Sequence, residues 1–338
     1  MSVSEFPGPV LVMGAGSIGC YLGGALAASG IAVTFVARPR VATALAEHGL
    51  TVTDLDGGRV ALAPEVLNVT STVPADVQPS LVLLTVKSGA TASAAAELGA
   101  VLHPGTLVVS MQNGVSNAAV ARAAAPHLHV LPGMVPYNVA EIAPGHYHRG
   151  TTGQLAAQDD PELRAWQPVF ARAGLPLMLH ADLRPVQWGK LLLNLNNPVN
   201  ALSGRPLRDE LLERGYRQCL AALMAETCAV LARAGIAPAQ VAAVKPPLLI
   251  KLLRLPTPLF KLVAARMLRI DPQARSSMAD DLQLGRVTEI DALCGAVVEL
   301  AHEHGVDAPL NRRMVELVKA APGALAPHEL KRRLGIAG

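Results

Sequence analysis

The feature that most constrains this chain is a glycine-rich turn between two short apolar runs near its N-terminus. The first run covers residues 10–13, and the second covers residues 31–37, after small residues with helical periodicity. The turn consists of Gly14, Ala15, Gly16, Ser17, Ile18 and Gly19. A strand, a G-x-G-x-x-G turn, a helix and a second strand form the unit that binds the pyrophosphate of a dinucleotide. The sequence therefore predicts a Rossmann-like domain with these six residues at the cofactor.

The residues after the second apolar run favour NADPH over NADH. A chain that binds NAD usually carries Asp or Glu at this point, where the carboxylate binds the ribose 2′-hydroxyl. Here the run ends in Arg38-Pro39-Arg40, without a carboxylate. Because a guanidinium pairs well with a phosphate, we predict that Arg38 reads the 2′-phosphate of NADPH. The role of Arg40 stays open.

Two polar residues follow later strands of the same predicted sheet. Lys87 comes after an apolar run at residues 81–86, and Asn113 comes after a second run at residues 107–111. Ligands of open α/β sheets bind at the carboxyl ends of the strands, so we expect both residues near the ligand. An Asn-Gly turn without a ligand is the alternative for Asn113.

The alternation of strands and helices ends near residue 181. Such alternation predicts a doubly wound, mostly parallel sheet. A length of 338 residues fits two domains, because single cores rarely grow past about 250–300 residues. We predict an α/β fold with an N-terminal Rossmann-like, NADP-binding domain at residues 1–181 and an all-helical substrate and catalytic domain at residues 182–338. Helices are expected over residues 209–234, 288–303 and 309–320.

The predicted helical domain contains an unusual polar stripe among leucines. Lys190, Asn194 and Asn197 follow one another at helical spacing, so a single helix would carry all three on one face. Buried polar groups are costly unless they are paired, and such a stripe often marks a ligand site. Pro198 is expected to break or kink the helix, which would place Asn197 at a helix end. A solvated helix face is the alternative.

A second polar cluster covers residues 276–281 and 286–291. Its serines are typical of a helix start with a capping residue. The pattern alone does not separate Glu289 from Asp280, Asp281 or Asp291 as a functional carboxylate.

Together these motifs resemble the ketopantoate reductase (2-dehydropantoate 2-reductase) family over nearly the whole chain. The motifs are the glycine-rich turn, Thr85-Val86-Lys87, Gln112-Asn113-Gly114, Trp188-Gly189-Lys190 with Asn194, and Ser277-Met278 followed by Thr288-Glu289-Ile290-Asp291. The resemblance implies an NADP-dependent oxidoreductase that reduces 2-dehydropantoate (ketopantoate) to (R)-pantoate in pantothenate and coenzyme A biosynthesis.

The resemblance also implies roles for the polar residues. Lys190 is expected to protonate the ketone oxygen, and Glu289 to orient the lysine and the substrate hydroxyl at the cofactor. The expected substrate-binding residues are Asn113, Asn194, Asn197 and Ser277. Asn113 is also expected to bind the cofactor. Lys87 is expected to supply a positive charge to either the cofactor or the substrate. A positioned ammonium suits this chemistry, because hydride addition builds negative charge on the carbonyl oxygen. A nearby carboxylate would favour the protonated lysine.

Two departures from the family pattern leave alternatives open. The position eight residues after Lys190, where relatives often carry the second asparagine, is Pro198; helical phase favours Asn197, and Asn200 is the alternative. Residues 245–275 hold seven basic residues and one acidic residue. This stretch is a solvated helical hairpin, an oligomer contact or a membrane-surface contact. The alternatives for function are a reductase of another branched 2-keto acid and a non-catalytic NADPH-binding sensor, against which Lys190 with Glu289 argues.

The composition of the chain argues against several other classes of protein. A net charge of +3 gives no reason to expect nucleic-acid binding, and the four cysteines form no C-x-x-C pair. Disulfides and a metal site are therefore not expected, and a reducing cytoplasm is favoured. We recognise no signal peptide and no apolar run long enough for stable membrane insertion. A homodimer is a candidate assembly that the sequence does not decide.

Overall fold

The computed structural model describes residues 7–241, 244–265, 268, 273–321 and 323–336. The chain divides into two compact units, Met1–Leu183 and Arg184–Gly338. The first unit is α/β, and the described part of the second contains helices and no strand. The predicted fold class is therefore confirmed.

The first unit is built on two sheets. The strands are β1 (Val10–Met13), β2 (Val33–Val36), β3 (Leu50–Asp54), β4 (Arg59–Leu62), β5 (Asn68–Thr70), β6 (Leu81–Leu84), β7 (Leu107–Ser110), β8 (His129–Met134), β9 (Val139–Ala143), β10 (His146–Arg149), β11 (Leu155–Gln158) and β12 (Leu177–His180). The helices are α1 (Ser17–Ala28), α2 (Pro39–His48), α3 (Thr91–Val101), α4 (Asn117–Ala124), α5 (Pro161–Arg164) and α6 (Gln167–Arg172).

The larger sheet has eight strands in the order β12-β11-β8-β7-β6-β1-β2-β5. All of its pairs are parallel except β8 with β11. The four strands β1, β2, β6 and β7 are buried along their whole length, which explains their continuous apolar sequences. The chain order reverses between β1 and β6, and the crevice at the carboxyl ends of such strands is where open α/β sheets bind ligands.

The smaller sheet, of order β4-β3-β10-β9, packs on α1. Residues 129–158 form β8 to β11, and β10 pairs in parallel with the distant β3. The smaller sheet therefore depends on a pairing between segments far apart in the chain.

The second unit is helical throughout its described part. Its helices are α7 (Arg184–Asn194), α8 (Asn196–Ser203), α9 (Leu207–Leu212), α10 (Arg214–Arg233), α11 (Pro246–Leu253), α12 (Thr257–Val263), α13 (Ser277–Gln283), α14 (Ala296–Glu303), α15 (Pro309–Ala320) and α16 (Pro327–Leu334), and a π-helical turn, Asp291–Gly295, leads into α14. None of the described helices is long and apolar enough to cross a membrane.

One sequence expectation changes in this unit. The single helix expected over residues 209–234 is two helices, α9 and α10, because Glu213 between them is extended, with φ −88° and ψ 112°. The described part of the basic stretch forms α11 and α12 and exposes Leu259 and Leu262. Its basic residues Arg266 and Arg269 and its Asp271 lie outside the described residues.

Candidate active site

The glycine-rich turn leads from β1 directly into α1, and its backbone has the shape that a pyrophosphate requires. Gly14 has φ +101°, which favours glycine, and a Cβ atom there would lie 2.6 Å from Cγ1 of Val86. A Cβ atom on Gly16 would instead project into open space. Gly16 is also the N-cap residue and offers no side chain to the first N–H groups of α1, so these remain donors for an anion. The turn therefore fits a dinucleotide cofactor.

Side chains hold the carbonyl groups of this turn in place. Thr85, which follows β6, donates from Oγ1 to the carbonyl oxygen of Gly14 at 2.7 Å and to that of Met13 at 3.3 Å. Cys20 Sγ donates to the carbonyl oxygen of Ala15 at 3.4 Å. The protein thus fixes the shape of the turn by itself.

Arg38 and Arg40 flank the start of α2 but have different surroundings. Arg40 forms a bidentate ion pair with Glu141, with N–O distances of 3.0 and 2.7 Å. Arg38 is exposed, and its side chain makes no hydrogen bond or ion pair with the residues that the structure describes. Of the two guanidinium groups, that of Arg38 is the one available to a ligand.

Lys87 and Asn113 lie on the loops after β6 and β7, at the carboxyl edge of the sheet. Both residues are exposed. The Ser88 hydroxyl donates to the carbonyl oxygen of Asn113 at 3.2 Å and so joins the two loops directly. The structure therefore brings these two candidates to one edge, next to the glycine-rich turn after β1.

A buried polar network under these loops escaped sequence analysis. Ser110 donates to Gln112 Oε1 at 2.8 Å, and Gln112 Nε2 donates to the Val86 carbonyl at 2.8 Å and to Thr91 Oγ1 at 2.7 Å. Thr91 donates in turn to Asn117 Oδ1 at 3.0 Å. Buried polar groups that are paired in this way can fix the conformation of both loops. The one sequence signal was a glutamine directly after an apolar strand.

In the second unit, Lys190 and Asn194 lie one turn apart on α7. Asn194 is buried and Lys190 is partly buried. Burial lowers the pKa of Lys190 from 10.5 to about 8. A nearby carboxylate would raise this pKa, but the net shift is downward because burial dominates. An amine with a pKa of about 8 still carries its proton at neutral pH and releases it readily, which are the properties of a general acid.

The polar stripe that the sequence placed on one helix spans two. Helix α7 ends at Asn194 and α8 begins at Asn196, because Pro198 has no N–H group to donate to the carbonyl of Asn194. The prediction that Lys190, Asn194 and Asn197 share one helix face is therefore wrong for Asn197. The predicted break, with Asn197 at a helix end, is confirmed.

Asn197 and Asn200 differ in what their side chains do. Asn200 is fully buried, donates from Nδ2 to the Arg205 carbonyl at 2.9 Å and accepts at Oδ1 from the Ser276 N–H at 2.9 Å. Among the described residues, the side-chain amide of Asn197 makes no hydrogen bond. Asn197 is therefore the better placed of the two to bind a ligand.

Ser277 is the exposed first residue of α13, and Glu289 lies on a separate segment. Ser276 caps α13 by accepting from the Ala279 N–H at 3.2 Å, as the sequence predicted, and donates to the carbonyl oxygen of Asn197 at 3.2 Å. These bonds bring Ser277 beside the start of α8. Glu289 is partly buried and precedes the π-helical turn.

Comparison with known proteins now identifies the chain. The family model described as "Ketopantoate reductase PanE/ApbA" matches residues 10–161, and its C-terminal counterpart matches residues 182–321. The 2-dehydropantoate 2-reductase of Halobacterium salinarum is 31% identical over 327 residues, which cover 92% of this chain and 98% of that protein. This chain belongs to the ketopantoate reductase family.

Solved structures agree with membership of the ketopantoate reductase family. The crystal structure of a PanE/ApbA family ketopantoate reductase from Ralstonia eutropha has a TM-score of 0.78 and 30% identity, covering 93% of this chain and 98% of that one. A D-mandelate dehydrogenase solved with NADH and anilino(oxo)acetate has a TM-score of 0.76 at 20% identity over 93% of this chain and 98% of that one, which shows a shared fold alone. The resemblance found in the sequence is confirmed, and the chain is an NAD(P)-dependent oxidoreductase.

Proposed function

We propose that this ketopantoate reductase family member catalyses the NADPH-dependent reduction of 2-dehydropantoate to (R)-pantoate, on the route to pantothenate and coenzyme A. The observation that carries the proposal is Lys190, whose pKa is lowered to about 8 by burial and which shares a face of α7 with Asn194. The names of relatives with about 30% identity support the choice of substrate.

The first unit supplies the residues for the cofactor. The residues proposed to hold it are Gly14, Ala15, Gly16, Ser17, Ile18, Gly19, Arg38, Lys87 and Asn113, and Glu289 is proposed as a further cofactor residue. The N–H groups at the start of α1 bind the pyrophosphate, and the exposed guanidinium of Arg38 binds the 2′-phosphate. When bound, NADPH supplies the hydride that adds to C2 of the keto acid.

The second unit supplies the proton and most of the substrate contacts. As negative charge develops on the carbonyl oxygen, the ammonium of Lys190 stabilises that charge and donates a proton from Nζ. Glu289 orients the lysine and the hydroxyl group of the substrate. The residues proposed to bind the keto acid are Asn113, Asn194, Asn197 and Ser277.

The thiol chemistry suits a cytoplasmic enzyme. All four cysteines are free, and burial raises the pKa of Cys20 and of Cys219 to about 12. Thiols with such high pKa values are poor nucleophiles at neutral pH. Free cysteines are usual in a reducing compartment, and we propose that the reaction takes place in the cytoplasm.

The test is the rate of NADPH oxidation with a panel of 2-keto acids. We expect kcat/KM to be highest for 2-dehydropantoate, clearly above 3-methyl-2-oxobutanoate and pyruvate. If pyruvate reacts equally fast, the specific assignment fails, and if another branched keto acid reacts faster, that acid replaces 2-dehydropantoate as the substrate. NADPH binding without turnover of any keto acid would instead indicate a sensor.

A further inference from the structure

Glu210, on α9, is a buried carboxyl group that the proposed mechanism does not use. Its side chain is fully buried, and it receives a hydrogen bond from Asn196 Nδ2 at Oε2, with an N–O distance of 3.0 Å. Asn196 is the first residue of α8 and stands between Asn194 and Asn197 in the chain. Any change in how Asn196 is held therefore acts on two proposed substrate residues.

Glu210 and Asn196 each have one side-chain oxygen atom that no hydrogen bond satisfies within the described part of the chain. Glu210 Oε1 and Asn196 Oδ1 are both buried, and neither has a hydrogen-bond partner among the described residues. Both atoms are acceptors when the carboxyl group is ionised, and leaving buried acceptors unpaired is costly. A single proton on Oε1 removes the difficulty, because Oε1–H can donate to Oδ1 while Nδ2–H donates to Oε2.

We propose that Glu210 is a protonated positioning residue, which forms a cyclic acid–amide pair with Asn196 and thereby sets the α7–α8 turn for substrate binding. This inference rests on the proposed function for its kinetic consequences. The proton of the carboxylic acid stays on Oε1, and no group is oxidised or reduced. Deprotonation breaks one of the two hydrogen bonds and places two acceptors against each other.

The surroundings of Glu210 favour its neutral form. Burial raises the pKa of Glu210 to about 8, although the neighbouring amides of Asn196 and Asn200 and the charge of Arg217 lower it. On the neighbouring helix α10, Arg217 acts on the pKa of Glu210, whereas Tyr216 and Cys219 are groups whose pKa burial and the charge of Glu210 raise. Arg217 is fully buried and donates its hydrogen bonds to the carbonyls of Leu211, Leu253 and Leu255 and to Thr257, so it does not ion-pair with Glu210.

Helix α9, which carries Glu210, is also hydrogen-bonded to the segment that precedes Ser277. The N–H of Leu207, the first residue of α9, donates to the Ala274 carbonyl at 2.8 Å, two residues before the N-cap Ser276. Asn200 links α8 to the same N-cap. The Glu210–Asn196 pair thus completes a set of bonds that holds Asn197 and Ser277 in register with each other.

Glu210→Gln is the decisive variant. Its amide can form both hydrogen bonds with Asn196 and carries no titratable proton, whereas Glu210→Ala removes the pair. For wild type, we expect KM for 2-dehydropantoate to rise severalfold as the pH passes about 8. Glu210→Gln should keep the low KM at all pH values. Glu210→Ala should raise KM about tenfold at every pH, the scale of one or two lost hydrogen bonds, with a smaller change in kcat.

Two further variants sharpen the test. The exchange Asn196→Asp with Glu210→Gln reverses the acid and the amide and should restore the KM that Asn196→Asp alone has lost. Glu213→Gln, at an exposed carboxylate three residues further on, is the matched control and should change neither KM nor its pH dependence.

An infrared difference spectrum between wild type and Glu210→Gln tests the protonation without any activity. It should show the carbonyl stretch of a protonated acid at pH 7. Its absence would overturn the proposal. An equal rise in KM for Glu210→Gln and Glu210→Ala would also overturn it. So would a change in the thermal stability of both variants while every KM stays constant. Failure of wild type to reduce 2-dehydropantoate would refute the proposed function. The infrared spectrum would then still test whether Glu210 is protonated in its pair with Asn196.

Discussion

At the scale of single residues, the structure separates candidates that look equivalent in the sequence. Arg38 and Arg40 are both cations at the end of β2, yet Arg40 is engaged by Glu141 and Arg38 is not. Asn197 and Asn200 are both asparagines of α8, yet the amide of Asn200 is used inside the fold. What each residue can bind follows from which of its donors and acceptors the protein has already used.

Replacing Arg38 by alanine should weaken NADPH binding far more than NADH binding. The guanidinium can pair with the 2′-phosphate, which NADH lacks. Dissociation constants for both cofactors, measured by fluorescence titration, check this, and Arg40→Ala is the matched control. Equal losses for the two cofactors would refute the assignment of the 2′-phosphate to Arg38.

The two asparagines should respond differently to alanine. Asn200→Ala leaves the Ser276 N–H and the Arg205 carbonyl without their partner, and we expect a loss of about 2 kcal/mol in the free energy of unfolding. Asn197→Ala should leave stability nearly unchanged and raise KM for the keto acid. Denaturant unfolding together with steady-state kinetics distinguishes the two, and the opposite pattern would make Asn200 the substrate ligand.

At the scale of elements, the sequence predicts best where the pattern is local. The β1–turn–α1 unit could be predicted because the strand is continuously apolar and the glycines have fixed spacing. The smaller sheet could not be predicted from the sequence. Strand β4 alternates between exposed and half-buried residues, and β3 pairs with a strand more than 90 residues away. The network of Gln112, Thr91 and Asn117 likewise exists only once separate elements have been brought together.

Alanine at two glycines of the turn should separate binding from folding. Gly16→Ala places a methyl group in the open space that the pyrophosphate needs, so we expect a folded protein with much weaker NADPH binding. Gly14→Ala combines a positive φ with a clash against Val86 and should lower stability as well. Thermal unfolding and cofactor titration measure both effects, and tight NADPH binding by Gly16→Ala would contradict this role for the turn.

At the scale of the whole molecule, burial shifts the pKa values of two ionisable groups of the second unit in opposite directions. The raised pKa of Glu210 contributes stability that is full below about pH 4.5 and is lost as the pH rises through about 8. The lowered pKa of Lys190 contributes stability that is full above about pH 10.5 and is lost as the pH falls through about 8. Together the two contributions are smallest near pH 8.

The free energy of unfolding should therefore fall between pH 5 and pH 8 more steeply in wild type than in Glu210→Gln. Each pKa unit corresponds to about 1.4 kcal/mol, so the two curves should diverge by a few kcal/mol over this range. Urea unfolding at a series of pH values measures the divergence. Parallel curves would mean that Glu210 is ionised in the folded protein.

The role of Lys190 as proton donor is tested by measuring kcat as a function of pH, at saturating NADPH and 2-dehydropantoate, for wild type and Lys190→Ala. We expect wild-type kcat to fall above about pH 8, as Lys190 loses its proton. Lys190→Ala should be slower by about 10²-fold or more and should lack this dependence. A Lys190→Ala enzyme with unchanged kcat and the same alkaline fall would contradict the claim that this lysine protonates the substrate.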